Sequence, residues 1–181
     1  PAAAQQFTPL AYTCYLFAAR IALLSINLLP LCLGLWFATA ILGIDEGRIE
    51  AFYLHGTNPF GNSLSILMAS AAAGLAFGLL SRAICVRALG RIPQGLSGRY
   101  SLTTMRFTLK NDMVESAGEV ISGTLFWPKW LQAAGMKVGH RCEVSSIMEV
   151  VPELVSLDED CFLADGIYLG APALRGETIR F

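Results

Sequence analysis

From Val138, aliphatic residues recur six apart at Val144 and Val150 and, after one extra residue, at Leu157, Leu163 and Leu169. The residue behind each aliphatic is small or acidic in five of six units (Gly139, Ser145, Val151, Asp158, Ala164, Gly170), and the residue four after it is always apolar (Cys142, Met148, Leu154, Cys161, Ile167, Ala173). A half-buried strand alternates with period two and an amphipathic helix repeats at 3.6. Six-residue units with one inward aliphatic and a compact corner residue instead predict a parallel β-helix, in which three units make a triangular coil and coils stack.

The break in the count has a structural reading. Val138 and Leu157 are 19 apart, one more than three sixes, so they stack if VVPELVS holds a one-residue bulge beside Pro152. Proline has no N–H for the ladder, so an extra residue beside it disturbs little pairing. Cys142 then lies over Cys161, as packed thiols rather than a disulfide. About two coils are visible, and repeat folds need roughly three units or more. The coil therefore reads as incomplete and the chain as a fragment of a longer one. A first residue that is not Met and an unpunctuated tail, APALRGETIRF, are read the same way.

Ahead of the repeat, the chain is 54% hydrophobic overall against 15% charged, and the excess sits before residue 90. Residues 16–43 carry a single charge, Arg20, and exceed the length that crosses a bilayer. Residues 64–85 are uncharged up to Arg82, which can snorkel to the interface. The first window is too long for a signal peptide and lacks its basic start. Together the two predict a membrane α-helical hairpin, with Pro30 inside the first span and Ala69, Ala73, Ala76, Ser70, Gly74 and Gly78 giving the second a surface for close approach.

Charge sets the expected orientation. The loop 44–63 holds Asp45, Glu46 and Glu50 against Arg48, whereas Arg82, Arg87, Arg91, Arg99, Arg106 and Lys110 follow the second span. The positive-inside rule then places both ends in the cytoplasm and the loop outside, an integral membrane arrangement in contact with lipid. Five cysteines without a CxxC pair and two histidines, His55 and His140, build no zinc site, so no metal is expected. A net charge of −1 gives no footing for nucleic acid.

Residues 86–135 form a connector. RIPQGLSGRY is turn-rich, and Leu102, Met105, Leu109 and Met113 then make one stripe of an amphipathic helix whose other side, with Arg106, Lys110, Asp112 and Glu115, reads as a solvated face. Next, LFWPKWLQAAGMK predicts a short helix ended by Gly135. Its Trp127, Lys129 and Trp130 suit either the membrane interface or packing against the coil.

The run from Gly123 to Pro172, GTLFWPKWLQAAGMKVGHRCEVSSIMEVVPELVSLDEDCFLADGIYLGAP, with GRYSLTTMR and two apolar windows upstream, resembles the C-terminal region of membrane-bound nonribosomal-peptide-synthetase-like proteins of the epsilon-poly-L-lysine synthetase type. The resemblance implies paired membrane helices followed by a left-handed, acyltransferase-like β-helix domain, and it alone supplies the handedness. It implies amide-bond formation, in which a carrier-bound aminoacyl or acyl group passes to an amine. Its implied partners are adenylation and carrier domains of the parent protein and further β-helix domains. No adenylation motif or carrier serine lies in these 181 residues. The segment itself thus needs no cofactor, and the phosphopantetheine of a carrier elsewhere in the parent chain is the group the resemblance implies.

Acyl transfer to an amine needs a proton acceptor, and histidine titrates near neutrality. His140, two residues past Val138 at a coil corner, is the catalytic candidate, with a solvated turn residue as the alternative. Glu143, Glu149, Glu153 and Asp165 are alternatives as the base or as groups that hold the amine. The acidic run Asp158, Glu159 and Asp160 reads as a solvated turn, and Asp165 before Gly166 also suits a structural turn.

The resulting division is an N-terminal segment (1–15), a span (16–43), an extracytoplasmic loop (44–63), a second span (64–85), a cytoplasmic amphipathic or interfacial connector (86–135) and the start of a left-handed β-helix (136–181). Three functions fit it: acyl transfer within a larger synthetase, a noncatalytic scaffold that docks the carrier, and part of an export path, for which Asn27 is the polar intramembrane candidate.

Overall fold

The computed structural model describes residues 6–42, 54, 63–170 and 172–181. The acidic loop expected over 44–63 falls outside these residues apart from Leu54 and Ser63, and the side chains of Asn27, Pro30 and Ala69 are likewise outside the description. The chain divides into two compact units, Leu24–Leu80 and Pro1–Leu23 with Ser81–Phe181.

The first unit holds the inner parts of two long helices, α1 (Pro9–Leu42) and α2 (Ser63–Ala88). The backbone of α1 stays helical through Pro30. The helices meet where side chains are smallest, because a Cβ on Gly34 would fall 2.9 Å from the Ser70 carbonyl oxygen and 3.7 Å from the Gly74 Cα. Among the described residues one helical stretch, Ser70–Ala88, is long and apolar enough to cross a membrane by length and composition, and Pro9–Ser25 is a shorter apolar run. Only 17% of the qualifying window is buried.

The second unit is built on a coil of short strands. β1 (Leu96–Gly98) follows α2; then come α3 (Leu102–Ile121) and α4 (Phe126–Ala134). Next are β2 (Lys137–Val138), β3 (Glu143–Val144) and β4 (Ile147–Met148), a 3-10 turn (Pro152–Leu154), and β5 (Ser156–Leu157), β6 (Phe162–Leu163) and β7 (Ile167–Tyr168). β2 pairs with β5, β3 with β6 and β4 with β7, all parallel, so 137–148 and 156–168 form two tiers. Val138, Val144, Ile147 and Val150 of the first tier are buried.

The register follows the expected count on two faces and departs from it on the third. Val138 pairs with Leu157 and Val144 with Leu163, both 19 apart, but Ile147 pairs with Ile167, 20 apart. A second extra residue therefore lies in the Ala164–Asp165–Gly166 turn, and Met148 aligns with Tyr168 rather than with Ile167. The first extra residue is not a ladder bulge. It is taken up by the 3-10 turn that starts at Pro152, between strands, where no pairing is lost.

After Gly170 the chain leaves the coil. β8 (Ala173–Arg175) and β9 (Thr178–Arg180) form an antiparallel hairpin, and β9 pairs with β1 in a three-stranded sheet. Residues 173–180 therefore close on the connector instead of adding a parallel rung.

The helices of the connector cover the coil. Ser101 caps α3 by accepting the Thr104 N–H at 3.3 Å, and its hydroxyl lies 2.8 Å from that of buried Ser97. Of the expected apolar stripe, Leu109 and Met113 are buried while Leu102 is exposed. Lys110, expected on the solvated face, is 2% exposed. The inward arc of α3 includes it because Val114, Ala117 and Ile121 are buried there as well, and a carboxylate waits for its ammonium. Gly135, at φ 112°, ends α4 as its position after the helix predicts.

The two tryptophans of α4 are core residues. Trp127 is fully buried, Trp130 nearly so, and their rings stack 5.3 Å apart. The Trp127 indole N–H donates to the Ser145 carbonyl at 2.9 Å, locking α4 onto the coil. Of the two readings for these rings, the structure takes packing.

Candidate functional site

The elements just described enclose a groove of about 570 Å³. One wall is the α3–α4 turn and α4, with Leu125, Lys129 and Gln132; the other is the first tier of the coil, with His140, Glu143 and Ser145. Phe162 of the second tier reaches its edge. The wall spacing is held by Trp127 on Ser145 and by the Gln132 side-chain amide, which donates to the Val138 carbonyl at 2.7 Å.

His140 lies exposed in the corner between β2 and β3. Its carbonyl accepts the Asp160 N–H at 3.0 Å, which fixes the backbone of the corner to the tier below. The next residue, Arg141, is left-handed at φ 56°, as is Asp160 at φ 57°. They are 19 apart, the offset of the paired strands on either side. The Arg141 guanidinium donates to both Asp160 oxygens, at 2.5 and 2.7 Å. This bidentate pair raises the pKa of Arg141 and lowers that of Asp160. One member of the acidic run is thus a corner clamp.

Glu143 is exposed in β3 and shares the groove with His140. Glu149 and Asp165 do not line it. Glu149 stands at a later corner with φ 50°. Asp165 accepts the Ser146 N–H and hydroxyl, each at 3.2 Å, and these bonds hold its carboxyl below the usual carboxylate range. Gly166, at φ 73°, completes the turn by donating to the Ser146 hydroxyl at 2.8 Å. Asp165 is therefore a latch between tiers. Glu153 is engaged elsewhere, with Lys110 and the Ile92 N–H.

Of the stacked thiols, Cys142 lines the groove. Cys142 donates to the Asp158 carbonyl at 2.9 Å, and both cysteines are free. Desolvation, and then the neighbouring Cys142, push the Cys161 thiol above its ordinary value, which favours the neutral form. No group of three or more metal-ligating side chains occurs among the described residues.

Chemically, the groove offers an imidazole, a carboxylate and, across from them, the exposed side chain of Lys129. His140 and Glu143, named from the sequence, line this groove, and the opposing wall was not anticipated. The signal was present in Trp127, whose indole N–H requires a partner when buried and finds it on the coil.

Comparison with known proteins gives one partial likeness. Over 92 residues, 49% of this chain, the sequence is 30% identical to a delta-poly-L-ornithine synthetase of Acinetobacter baumannii (strain AB307-0294). The aligned part spans 7% of that protein's length. No protein-family profile matches the chain, and no solved structure does.

Proposed function

We propose that this chain is a segment of a membrane-bound, nonribosomal-peptide-synthetase-like enzyme, in which the groove between α4 and the coil passes a carrier-bound aminoacyl or acyl group to an amine. The observation that carries the reading is the groove itself, which gathers His140, Glu143 and Lys129 on one concave surface. The likeness to a synthetase of poly-ornithine over half the chain supports the reaction class. The parallel tiers support the first windings of a β-helix, for which the family resemblance supplies the left hand.

In this reading α1 and α2 are the membrane anchor, with both ends cytoplasmic and the acidic loop outside. The low coverage of Ser70–Ala88 and the exposure of Phe77 and Leu80 along it support a lipid surround. Partners are the carrier and adenylation domains of the parent protein and further β-helix domains.

The chemistry assigned to the chain's own residues is modest. As the amine nitrogen bonds to the acyl carbon and the carbon–sulfur bond breaks, His140 takes the amine proton and returns it to the leaving sulfur. Glu143 holds the incoming amine while it is still cationic, and the ammonium releases one proton to solvent before the neutral amine attacks. The phosphopantetheine of a carrier would supply the thioester. A narrow arm fits a groove that is apolar at Leu125 and Phe162 and cationic at Lys129, so these three residues would hold it.

The test uses the intact parent protein in detergent, with its carrier loaded and amide product followed by mass spectrometry. His140→Ala is expected to abolish product while thioester loading persists. Unchanged product would remove His140 from the chemistry and leave the groove as a carrier dock, the scaffold alternative.

A further inference from the structure

The corner that carries His140 is stacked on the corner below it by backbone bonds on both sides of a cysteine pair. The Asp160 N–H donates to the His140 carbonyl at 3.0 Å, and the Glu143 N–H donates to the Cys161 carbonyl at 2.8 Å. Cys142 therefore lies over Cys161, one residue ahead of the Glu143–Phe162 and Val144–Leu163 pairs. Neighbouring strands of a ladder stand about 4.8 Å apart, within the roughly 4.4–6.8 Å between Cα atoms that a disulfide spans. Side chains alternate along a strand, so both thiols fall on the side of Val144 and Leu163.

The two thiols sit alike. Cys142 Sγ is 3.8 Å from the His140 carbonyl oxygen and Cys161 Sγ is 3.9 Å from that of Glu159, the same contact two residues back in each tier. Cys142 also donates to the Asp158 carbonyl at 2.9 Å, which carries its sulfur toward the lower tier. Access differs between them. Cys142 is 9% exposed, whereas Cys161 is half-buried on the second tier, where Leu157 and Leu163 are also less covered than their partners Val138 and Val144.

We propose that Cys142 and Cys161 are a dithiol modification site, closed to a disulfide between the tiers by a low-molecular-weight disulfide of the glutathione type. The Cys161 thiolate attacks one sulfur of the reagent and expels the first reduced thiol. Buried Cys142 then attacks the Cys161 sulfur of the mixed disulfide and expels the second. The two cysteines lose two electrons and two protons, and the reagent gains both as two thiols. Burial and the neighbouring Cys142 hold the Cys161 thiol above its ordinary pKa, so the first attack is slow. For the same reason the reduced pair lacks the thiolate stabilisation that makes a disulfide strongly oxidising, and the bond persists once formed. Cys142 lines the groove and His140 shares its corner, so closing the bond ties that wall of the groove to the tier below. The bond needs only the two tiers and stands apart from the acyl-transfer reading.

The test incubates the intact protein in detergent with glutathione disulfide and maps the thiols by alkylation and mass spectrometry. The expected product is a Cys142–Cys161 linked peptide, two hydrogens lighter than the reduced pair and reversed by dithiothreitol, with slower hydrogen exchange at the Asp160 and Glu143 amides. Cys142→Ser is expected to trap glutathione on Cys161, and Cys161→Ser to leave Cys142 unmodified. A glutathione adduct that stays on Cys161 of the parent protein, or no reaction at either sulfur while the denatured chain reacts, overturns the site. Glutathione on Cys142 in the Cys161→Ser variant overturns the order of attack, and unchanged amide exchange in the linked protein overturns the tie to the groove wall.

Discussion

The Lys110 ammonium nitrogen lies 2.5 Å from Glu153 Oε1, and the same carboxylate oxygen accepts the Ile92 N–H at 2.9 Å. One carboxylate thus joins α3, the 3-10 turn between the tiers and the chain that leaves α2. A lysine buried this deeply is tolerated because the pair forms, since an unpaired charge in such a place is expensive.

Replacing Lys110 by Met strands Glu153 in a nearly closed site. The expected loss in chemical unfolding is about 3 kcal/mol. Adding Glu153→Gln, which keeps an acceptor for Ile92, restores most of it. A loss below about 1 kcal/mol in the single variant would mean that water screens the pair as it does at a surface.

Gly139→Ala tests the closeness of the tiers. Its Cβ would fall 2.6 Å from the Asp158 carbonyl carbon and 2.7 Å from the Glu159 nitrogen, backbone atoms that cannot rotate away. The variant is expected to lose about 1–3 kcal/mol, the usual range for overpacking. Hydrogen exchange at the Glu143 and Ser145 amides, which donate to Cys161 and Leu163, reports the same opening locally. Unchanged exchange at both would contradict the register.

Acid loosens the tiers in a defined direction. Asp165 and Asp160 both have folded pKa values below the ordinary carboxylate value, held there by Ser146 and by Arg141 respectively. Their contributions are present above the unfolded pKa and fade as pH falls through the lower folded values. In an NMR titration both carboxyl resonances are expected to have midpoints below 3.8. Ser146→Ala moves the Asp165 midpoint upward and leaves Asp160 alone. An unshifted Asp165 in the parent protein would dissolve the latch.

Gly34→Ala probes the helix pair. A Cβ 2.9 Å from the Ser70 carbonyl forces the helices apart, and the expected cost is about 1–3 kcal/mol. Thermal unfolding in detergent measures it. A neutral result would show that α1 and α2 do not rely on close approach at this point.

The paired faces of the coil were largely legible because the aliphatics recur at a spacing set by the backbone, and Val138, Val144, Leu157 and Leu163 pair as the count put them. The third face was not, because an Asp-Gly turn absorbs its extra residue without changing the spacing of Leu163 and Leu169. Lys110 was misread for a different reason. A charged residue looks solvated in any one-dimensional pattern, and its partner Glu153 is 43 residues away.

Local spacing by itself placed α3, α4 and the two faces of the coil paired 19 apart, since burying an aliphatic or ending a helix at Gly135 is decided by a few neighbouring residues, but it placed neither the third face nor the β8–β9 hairpin. Only the tertiary structure decided which charges are buried, that Trp127 and Trp130 face the coil while Leu125 and Phe126 remain bare, and that His140 and Glu143 share a groove with Lys129. These outcomes depend on contacts between distant segments, and the desolvation of a group is a property of everything packed around it rather than of its own stretch of chain.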